Sequence, residues 1–295
     1  MNKQDRIKGA IYGLLIGDAV GVPYEFNLPE QLPEYNQIDM LPPAYFSKTY
    51  PEIPLGTWSD DGAQALSLLD SLLYKHKMDA EDLMKRLCNW YQYGYMAVDY
   101  QVFDVGVQTA ESIRKYLMGV PLSQVAKNDE HANGNGSLMR VLPLALWHQD
   151  QMGIVAACVF ALWARSILNG LDIEPAWSDA VARLRQCLQD RPEDLQQLEL
   201  YIRPDELVQG TGSGYVVDCL NSARYALQKK SYQDVIKSSI ALGRDTDTTA
   251  CVAGGIAGLY FGYHAIPQLW LNQLRGKALV EPLLEKLSIH IASSK

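Results

Sequence analysis

The chain has 295 residues, a formal net charge of −8 at pH 7 and a hydrophobic content of 48%. This composition excludes a disordered or fibrous chain, and the negative charge argues against a protein that binds nucleic-acid backbones. The apolar stretch near the N-terminus is broken by Gly13, Gly17 and Asp18, which makes it a poor signal peptide and a poor membrane span. Five scattered cysteines without a C-x-x-C spacing indicate reduced, buried thiols in a cytoplasmic protein without a zinc site.

Helical periodicity predominates, so the sequence predicts an all-α fold and a single compact multi-helix domain over residues 1–295. In the first predicted helix, Ile7, Ile11 and Leu14 lie on one apolar face, and Asp18 continues that stripe toward the interior. Residues 28–54 have little periodicity and predict a long surface loop. Further helices are predicted at residues 80–93, 105–118, 155–168, 177–190, 214–228 and 232–242, and residues 252–258 are typical of a closely packed central helix.

Two acidic clusters each precede an apolar helical pattern: Ser59-Asp60-Asp61 and Asp245-Thr246-Asp247-Thr248. One interpretation is a pair of capped helix starts, with Ser59 or Asp60 capping one helix and Asp247 or Thr248 capping the other. The other interpretation is a metal site, because four neighbouring carboxylates repel one another unless cations lie between them. Oxygen ligands without adjacent His or Cys suit two Mg²⁺ or Mn²⁺ ions rather than Zn²⁺.

Two glycine-rich segments also precede helical patterns. Asn133-Gly134-Asn135-Gly136-Ser137 leads into Met139 and Arg140, and its backbone amides form either a phosphate cradle or an ordinary turn. In the second segment, Ser213 and Gly214 precede Tyr215, which either stacks on a base or packs in the core. His131 is a possible ligand contact, and the other four histidines are interpreted as structural. The absence of a Gly-x-Ser-x-Gly elbow disfavours a serine nucleophile.

The order of these motifs, beginning with Gly17-Asp18-Ala19, resembles the ADP-ribosylglycohydrolase family over nearly the whole chain. The resemblance implies an all-α hydrolase that removes ADP-ribose from a modified protein side chain, with arginine linkage slightly preferred. It implies Glu25, Asp61 and Asp104 as catalytic residues, with Glu25 as acid/base and Asp104 pairing a guanidinium. It also implies a binuclear Mg²⁺ or Mn²⁺ centre ligated by Ser59, Asp60, Asp61, Asp245, Asp247 and Thr248. The implied substrate contacts are Asn133, Gly134, Asn135, Gly136, Ser137, Met139, Ser213, Gly214 and Tyr215.

The sequence departs from the family pattern at three places. Ser59 stands where Thr is more usual, Arg244 replaces a common Gly, and a Thr-His loop used beside adenine is missing between residues 147 and 155. Three alternatives stay open at this point: hydrolysis of O-linked, serine-attached ADP-ribose, a metal-dependent nucleotide phosphohydrolase, and a non-catalytic protein. The last would be a crystallin-like structural protein or an immunity factor that binds an ADP-ribosylating toxin.

Overall fold

The computed structural model describes residues 1–126, 133–147 and 155–293. Within these ranges the chain is helical, and the sole β pairing there is one antiparallel bridge between Gly134 and Tyr215. No helix in the described part is both long and apolar enough to cross a membrane. The α-helices of these ranges are α1 (Lys3–Gly21), α2 (Asp60–Lys75), α3 (Ala80–Tyr93), α4 (Val107–Leu117), α5 (Leu122–Val125), α6 (Gly136–Arg140), α7 (Leu142–Trp147), α8 (Val155–Leu168), α9 (Ile173–Cys187), α10 (Pro192–Gln196), α11 (Val216–Ala226), α12 (Tyr232–Ile240), α13 (Thr246–Phe261), α14 (Gln268–Gln273) and α15 (Lys277–Ser293).

Local sequence explains where several helices begin. The side chains of Asn2, Ser59, Asp79 and Ser231 each accept a hydrogen bond from a backbone amide in the first turn of the helix that follows. Those amides have no partner inside the helix, so a short polar side chain at this position stabilises the helix start. The predicted all-α fold is confirmed.

The centre of the fold is an antiparallel pair, α1 and α13, whose backbones lie in direct contact. A Cβ atom added to Gly13 would lie 2.3 Å from the carbonyl oxygen of Gly254, and one added to Gly17 would lie 2.0 Å from that of Ala250. Only glycine permits so close an approach. As a result α1 is buried on every side from Gly9 onward, whereas its sequence pattern predicted one apolar face.

Some helix boundaries differ from those predicted from the sequence. The helix predicted at 177–190 begins at Ile173, because Pro175 lies in its first turn, where a missing N–H removes no helical hydrogen bond. The helix predicted at 214–228 begins at Val216, because Tyr215 is engaged in the β bridge. The helix predicted at 105–118 is shorter and spans Val107–Leu117.

The segment predicted as a surface loop, residues 28–54, is irregular apart from short 3₁₀ turns at Pro29–Gln31 and Tyr35–Gln37. Three of its apolar side chains, Ile38, Met40 and Ile53, are buried and fasten it to the helices. The loop therefore has a defined course that brings Tyr50 beside the acidic residues described below.

None of the five cysteines forms a disulfide bond in the described residues. Four of them are buried, as predicted, but Cys187 is exposed at the end of α9, so the prediction of buried thiols is wrong there.

Candidate active site

The start of α2 is held by a buried carboxylate of α1. Asp18 accepts hydrogen bonds from the backbone amides of Ser59 and Gly62, both at 2.8 Å. Ser59 is the N-cap, and its hydroxyl accepts a bond from the Asp61 amide at 3.3 Å. Asp18 thus points inward as predicted, and its two hydrogen bonds place Asp60 and Asp61 in the interior.

The start of α13 differs from the prediction. Asp245, and neither Asp247 nor Thr248, is the N-cap residue, because the helix already begins at Thr246. The Thr246 hydroxyl donates to the carbonyl oxygen of Gly21 at 2.8 Å, which fixes this first turn against the end of α1. Asp247 and Thr248 therefore lie within the helix, where the Thr248 hydroxyl donates to Asp61 Oδ1 at 3.3 Å and joins the two acidic clusters.

Two further acids converge on this junction. One carboxylate oxygen from each of Glu25, Asp104 and Asp247 lies within 4.8 Å of the others. Glu25 follows a 3₁₀ turn at the end of α1, and Asp104 lies in the loop before α4 with a left-handed φ of 51°. Tyr50 donates its hydroxyl proton to Asp104 Oδ1 at 2.9 Å. Residues far apart in the chain are thus brought together in one acidic group.

Burial dominates the electrostatics of these carboxylates. It raises the pKa values of Asp60, Asp61 and Asp247 well above their ordinary range, and the neighbouring acids raise them further. Burial, followed by the charges of Asp104 and Asp245, raises the pKa of Glu25 to about 10. Three buried carboxylate oxygens of this acidic group have no hydrogen-bond partner: Glu25 Oε2, Asp61 Oδ2 and Asp247 Oδ2. Desolvated carboxylates with free oxygens fit divalent cations as ligands.

The two glycine-rich segments lie side by side. The backbone amide of Asn135 donates to the carbonyl oxygen of Gly214 at 3.0 Å. The backbone amide of Val216 donates to the carbonyl oxygen of Asn133, also at 3.0 Å. The Asn135 side chain also donates to Asp245 Oδ2 at 2.8 Å. This pairing attaches both segments to the acidic group, and Tyr215 remains 42% exposed at their edge rather than in the core.

These elements surround an open cleft of about 300 Å³. Ten of the predicted site residues line it, and Ser59, Asn133, Ser137, Ser213, Gly214, Tyr215 and Asp247 do not. The remaining wall is the start of α4, which was not predicted from the sequence as part of the site. The sequence signal that could have indicated this wall is Gly106, which precedes an apolar helical pattern and so marks a helix start. The lining residues are Glu25, Asp60, Asp61, Asp104, Gly106, Val107, Gln108, Thr109, Gly134, Asn135, Gly136, Met139, Asp245 and Thr248.

Two arginines near the site have different roles. Arg244 is exposed and donates to the carbonyl oxygens of Thr211 and Leu242, so it points away from the acids. Arg140 interacts with the charges of Asp60 and Asp61; burial lowers its pKa, and these two acids oppose that effect. Arg140 is therefore a cation that the fold itself provides beside the carboxylates. His131 lies outside the described residues, and so do residues 148–154, where the Thr-His loop is missing from the sequence.

Comparison with known proteins extends the similarity over the whole chain. A family model described as ADP-ribosylglycohydrolase matches residues 1–295. The ADP-ribosylarginine hydrolase Tri1 of Pseudomonas putida (strain GB-1) is 29% identical, over 96% of this chain and 78% of that protein. The human ADP-ribosylhydrolase ARH3 is 25% identical, over 96% of this chain and 92% of that protein. A solved structure, titled ADP-ribosylglycohydrolase-related protein complex, aligns with a TM-score of 0.69 and 27% identity over 97% of each chain.

Proposed function

The chain belongs to the ADP-ribosylglycohydrolase family, and on this basis we propose that it hydrolyses the bond between ADP-ribose and an arginine side chain of a modified protein. The predicted enzyme class is confirmed by the family membership. The observation that carries the proposal is the set of partnerless buried oxygens of Glu25, Asp61 and Asp247 beside an open cleft. The arginine linkage is supported by the similarity to the Pseudomonas ADP-ribosylarginine hydrolase.

In this proposal, six residues hold two Mg²⁺ or Mn²⁺ ions: Ser59, Asp60, Asp61, Asp245, Asp247 and Thr248. All of them except Asp245 are buried, and Asp61 and Asp247 each have a carboxylate oxygen without a hydrogen-bond partner. Both features support this assignment, because cations offset the desolvation and the mutual repulsion of the acids. When bound, the ions supply Lewis-acid polarisation and orient the ribose hydroxyls. The acids around the ribose then stabilise the positive charge that develops on the sugar.

Glu25 moves the proton in this scheme. The Glu25 carboxyl gives a proton to the leaving guanidinium nitrogen as the ribose C–N bond breaks, and its burial favours the protonated form that this step needs. The carboxylate then accepts a proton from water while the water oxygen bonds to the anomeric carbon. Asp61 lines the same cleft and has a free oxygen to orient that water. The products are ADP-ribose and unmodified arginine.

Two further sets of residues position the substrate. Asp104 accepts hydrogen bonds from the guanidinium, and Tyr50 holds its side chain in place. Gly134, Asn135, Gly136 and Ser137 face the diphosphate with Asn133 and Met139 beside them, and Ser213, Gly214 and Tyr215 adjoin a ring of the nucleotide. The continuity of the two glycine-rich segments supports this placement, since one ligand can contact both.

We further propose that residues 1–295 act as one domain, because the core is continuous from α1 to α15. Cysteines that form no disulfide bond in the described residues favour a cytoplasmic location. The substrates are proteins bearing ADP-ribosyl-arginine, including any that an ADP-ribosylating toxin has modified.

The test is release of ADP-ribose, followed by mass spectrometry, from arginine-linked and serine-linked peptides in Mg²⁺, Mn²⁺ or EDTA. We expect metal-dependent release from the arginine-linked peptide and a loss of at least about 100-fold in Asp247→Asn, because one carboxylate ligand is removed. Asp190→Asn, at an exposed acid far along the chain, is the matched control and should retain full activity. Preferred release from the serine-linked peptide, or release of phosphate, would contradict the proposal.

A further inference from the structure

Three aromatic side chains form a continuous row beside the cleft. The ring centroids of Phe26 and Tyr50 are 6.4 Å apart, those of Tyr50 and Phe103 are 5.1 Å apart, and both pairs meet edge to face. None of the three belongs to the hydrophobic core that the described residues form. We name Phe26, Tyr50 and Phe103 the aromatic face.

Folding stability does not explain Phe26. Its side chain is 66% exposed, so it buries little apolar surface. Its backbone has a left-handed φ of 61°, a conformation that is unfavourable for a bulky residue. Two backbone hydrogen bonds of 2.6 Å hold it there, from Phe26 to the carbonyl oxygen of Arg244 and from Arg244 to that of Asn27. Exposure and backbone conformation therefore give the ring no folding role, and its contact with Tyr50 next to the cleft acid Glu25 indicates a binding role.

The aromatic face is joined to the acids of the cleft. Glu25 precedes Phe26, Asp104 follows Phe103, and both acids line the cleft. The Tyr50 hydroxyl donates to Asp104 at 2.9 Å, so the middle ring of the row is hydrogen-bonded to a carboxylate. A guanidinium on an aliphatic stem matches this arrangement of rings and a carboxylate. The stem packs on apolar surface, the guanidinium stacks on the rings, and its N–H groups pair with the acid.

We propose that the aromatic face binds the side chain of the target arginine and thereby selects arginine-linked over serine-linked ADP-ribose. This inference rests on the proposed hydrolysis of ADP-ribosyl-arginine and names the residues that recognise the acceptor. A serine side chain has neither the stem nor the charge that this face contacts. Asp104 receives the guanidinium end, and Phe26, the most exposed ring of the three, contacts the stem.

The test compares Phe26→Asn with Tyr100→Asn. Asparagine tolerates a left-handed φ, so the substitution removes the ring without adding strain. Tyr100 is the matched control: it is 80% exposed, also has a φ of 61°, and does not line the cleft. Phe103→Leu, which keeps apolar bulk and loses the ring face, is the second variant should Phe26→Asn fold poorly by its melting temperature.

The first readout is binding of agmatine, a guanidinium on an aliphatic stem, measured by saturation-transfer NMR in Mg²⁺. We expect Phe26→Asn and Phe103→Leu to weaken it roughly 2- to 30-fold, the range that cation–π contacts supply, and Tyr100→Asn to leave it unchanged. Equal agmatine affinity in all variants would overturn the inference.

The second readout separates this inference from the proposed function. The variants should lose kcat/KM on the arginine-linked peptide by the same factor, while inhibition by free ADP-ribose stays unchanged. Weaker inhibition by ADP-ribose in Phe26→Asn would show that the face binds the nucleotide and would overturn the inference. If the wild-type chain fails to hydrolyse the arginine-linked peptide, the proposed function is wrong, and agmatine binding still decides what the face recognises.

Discussion

Gly254 and Gly255 are neighbours in α13 but face different surroundings. A Cβ atom on Gly254 would lie 2.4 Å from the carbonyl oxygen of Gly13 in α1, and one on Gly255 would lie 2.5 Å from a methyl group of Leu142. The carbonyl group belongs to a buried helix and moves only if the whole helix moves, whereas the leucine methyl group moves by side-chain rotation. We therefore expect Gly254→Ala to destabilise the protein and Gly255→Ala to leave its stability nearly unchanged.

The magnitudes follow from two opposing effects. Alanine gains about 1 kcal/mol over glycine in a helix interior. Overpacking costs about 1–3 kcal/mol, and the contact between two backbones places Gly254→Ala at the upper end, so its net loss is about 2 kcal/mol. For Gly255→Ala, an off-rotamer leucine costs about 0.5–1.5 kcal/mol, which leaves the sum close to zero.

The assay is equilibrium unfolding in urea, in EDTA, with both substitutions and the wild type at one protein concentration. A lower midpoint with an unchanged slope reports a change in stability alone. Gly254→Ala should also reduce hydrolysis more than Gly255→Ala, because α13 carries Asp247 and packs at Gly21 against the end of α1. Equal midpoints for the two variants would refute the reasoning that backbone contact between α1 and α13 limits residue 254.

Two other predictions concern the acids. In Asp18→Asn, a carboxylate with two acceptor oxygens, each bonded to a backbone amide, becomes an amide group with only one acceptor oxygen. We therefore expect the free energy of unfolding in urea to fall by about 1–3 kcal/mol and Mg²⁺ binding, measured by calorimetry, to weaken. Unchanged Mg²⁺ affinity would contradict the role of Asp18. Burial raises the pKa of Asp18 from 3.8 to about 7 and that of Glu25 from 4.5 to about 10. The folded protein then holds more protons than the unfolded chain, so the melting temperature in EDTA should fall as the pH rises from 5 to 8. Mg²⁺ should raise the melting temperature more at pH 8 than at pH 5. A melting temperature that rises with pH in EDTA would contradict the prediction.

The amino-acid sequence by itself determined the features that depend on neighbouring residues. Ser59 and Asp79 cap helices because their side chains reach amides two or three residues onward, and this signal is local. The inward direction of Asp18 followed from its place on a helical stripe. The order of the acidic and glycine-rich motifs indicated the family, because that order is a property of the chain and needs no knowledge of distances.

Tertiary structure decided which distant residues meet. Thr246 begins α13 because its hydroxyl bonds to Gly21 of α1, so the helix cap predicted from local sequence lay at the wrong residue. The grouping of Glu25 and Asp104 with Asp247, and the row of rings beside them, arises from loops that the helices bring together. No local pattern encodes these contacts. The approach of Glu25, which follows α1, to Asp247 in α13 depends on the close packing of these two helices, in which glycines of two remote segments remove the side chains that would otherwise hold the backbones apart.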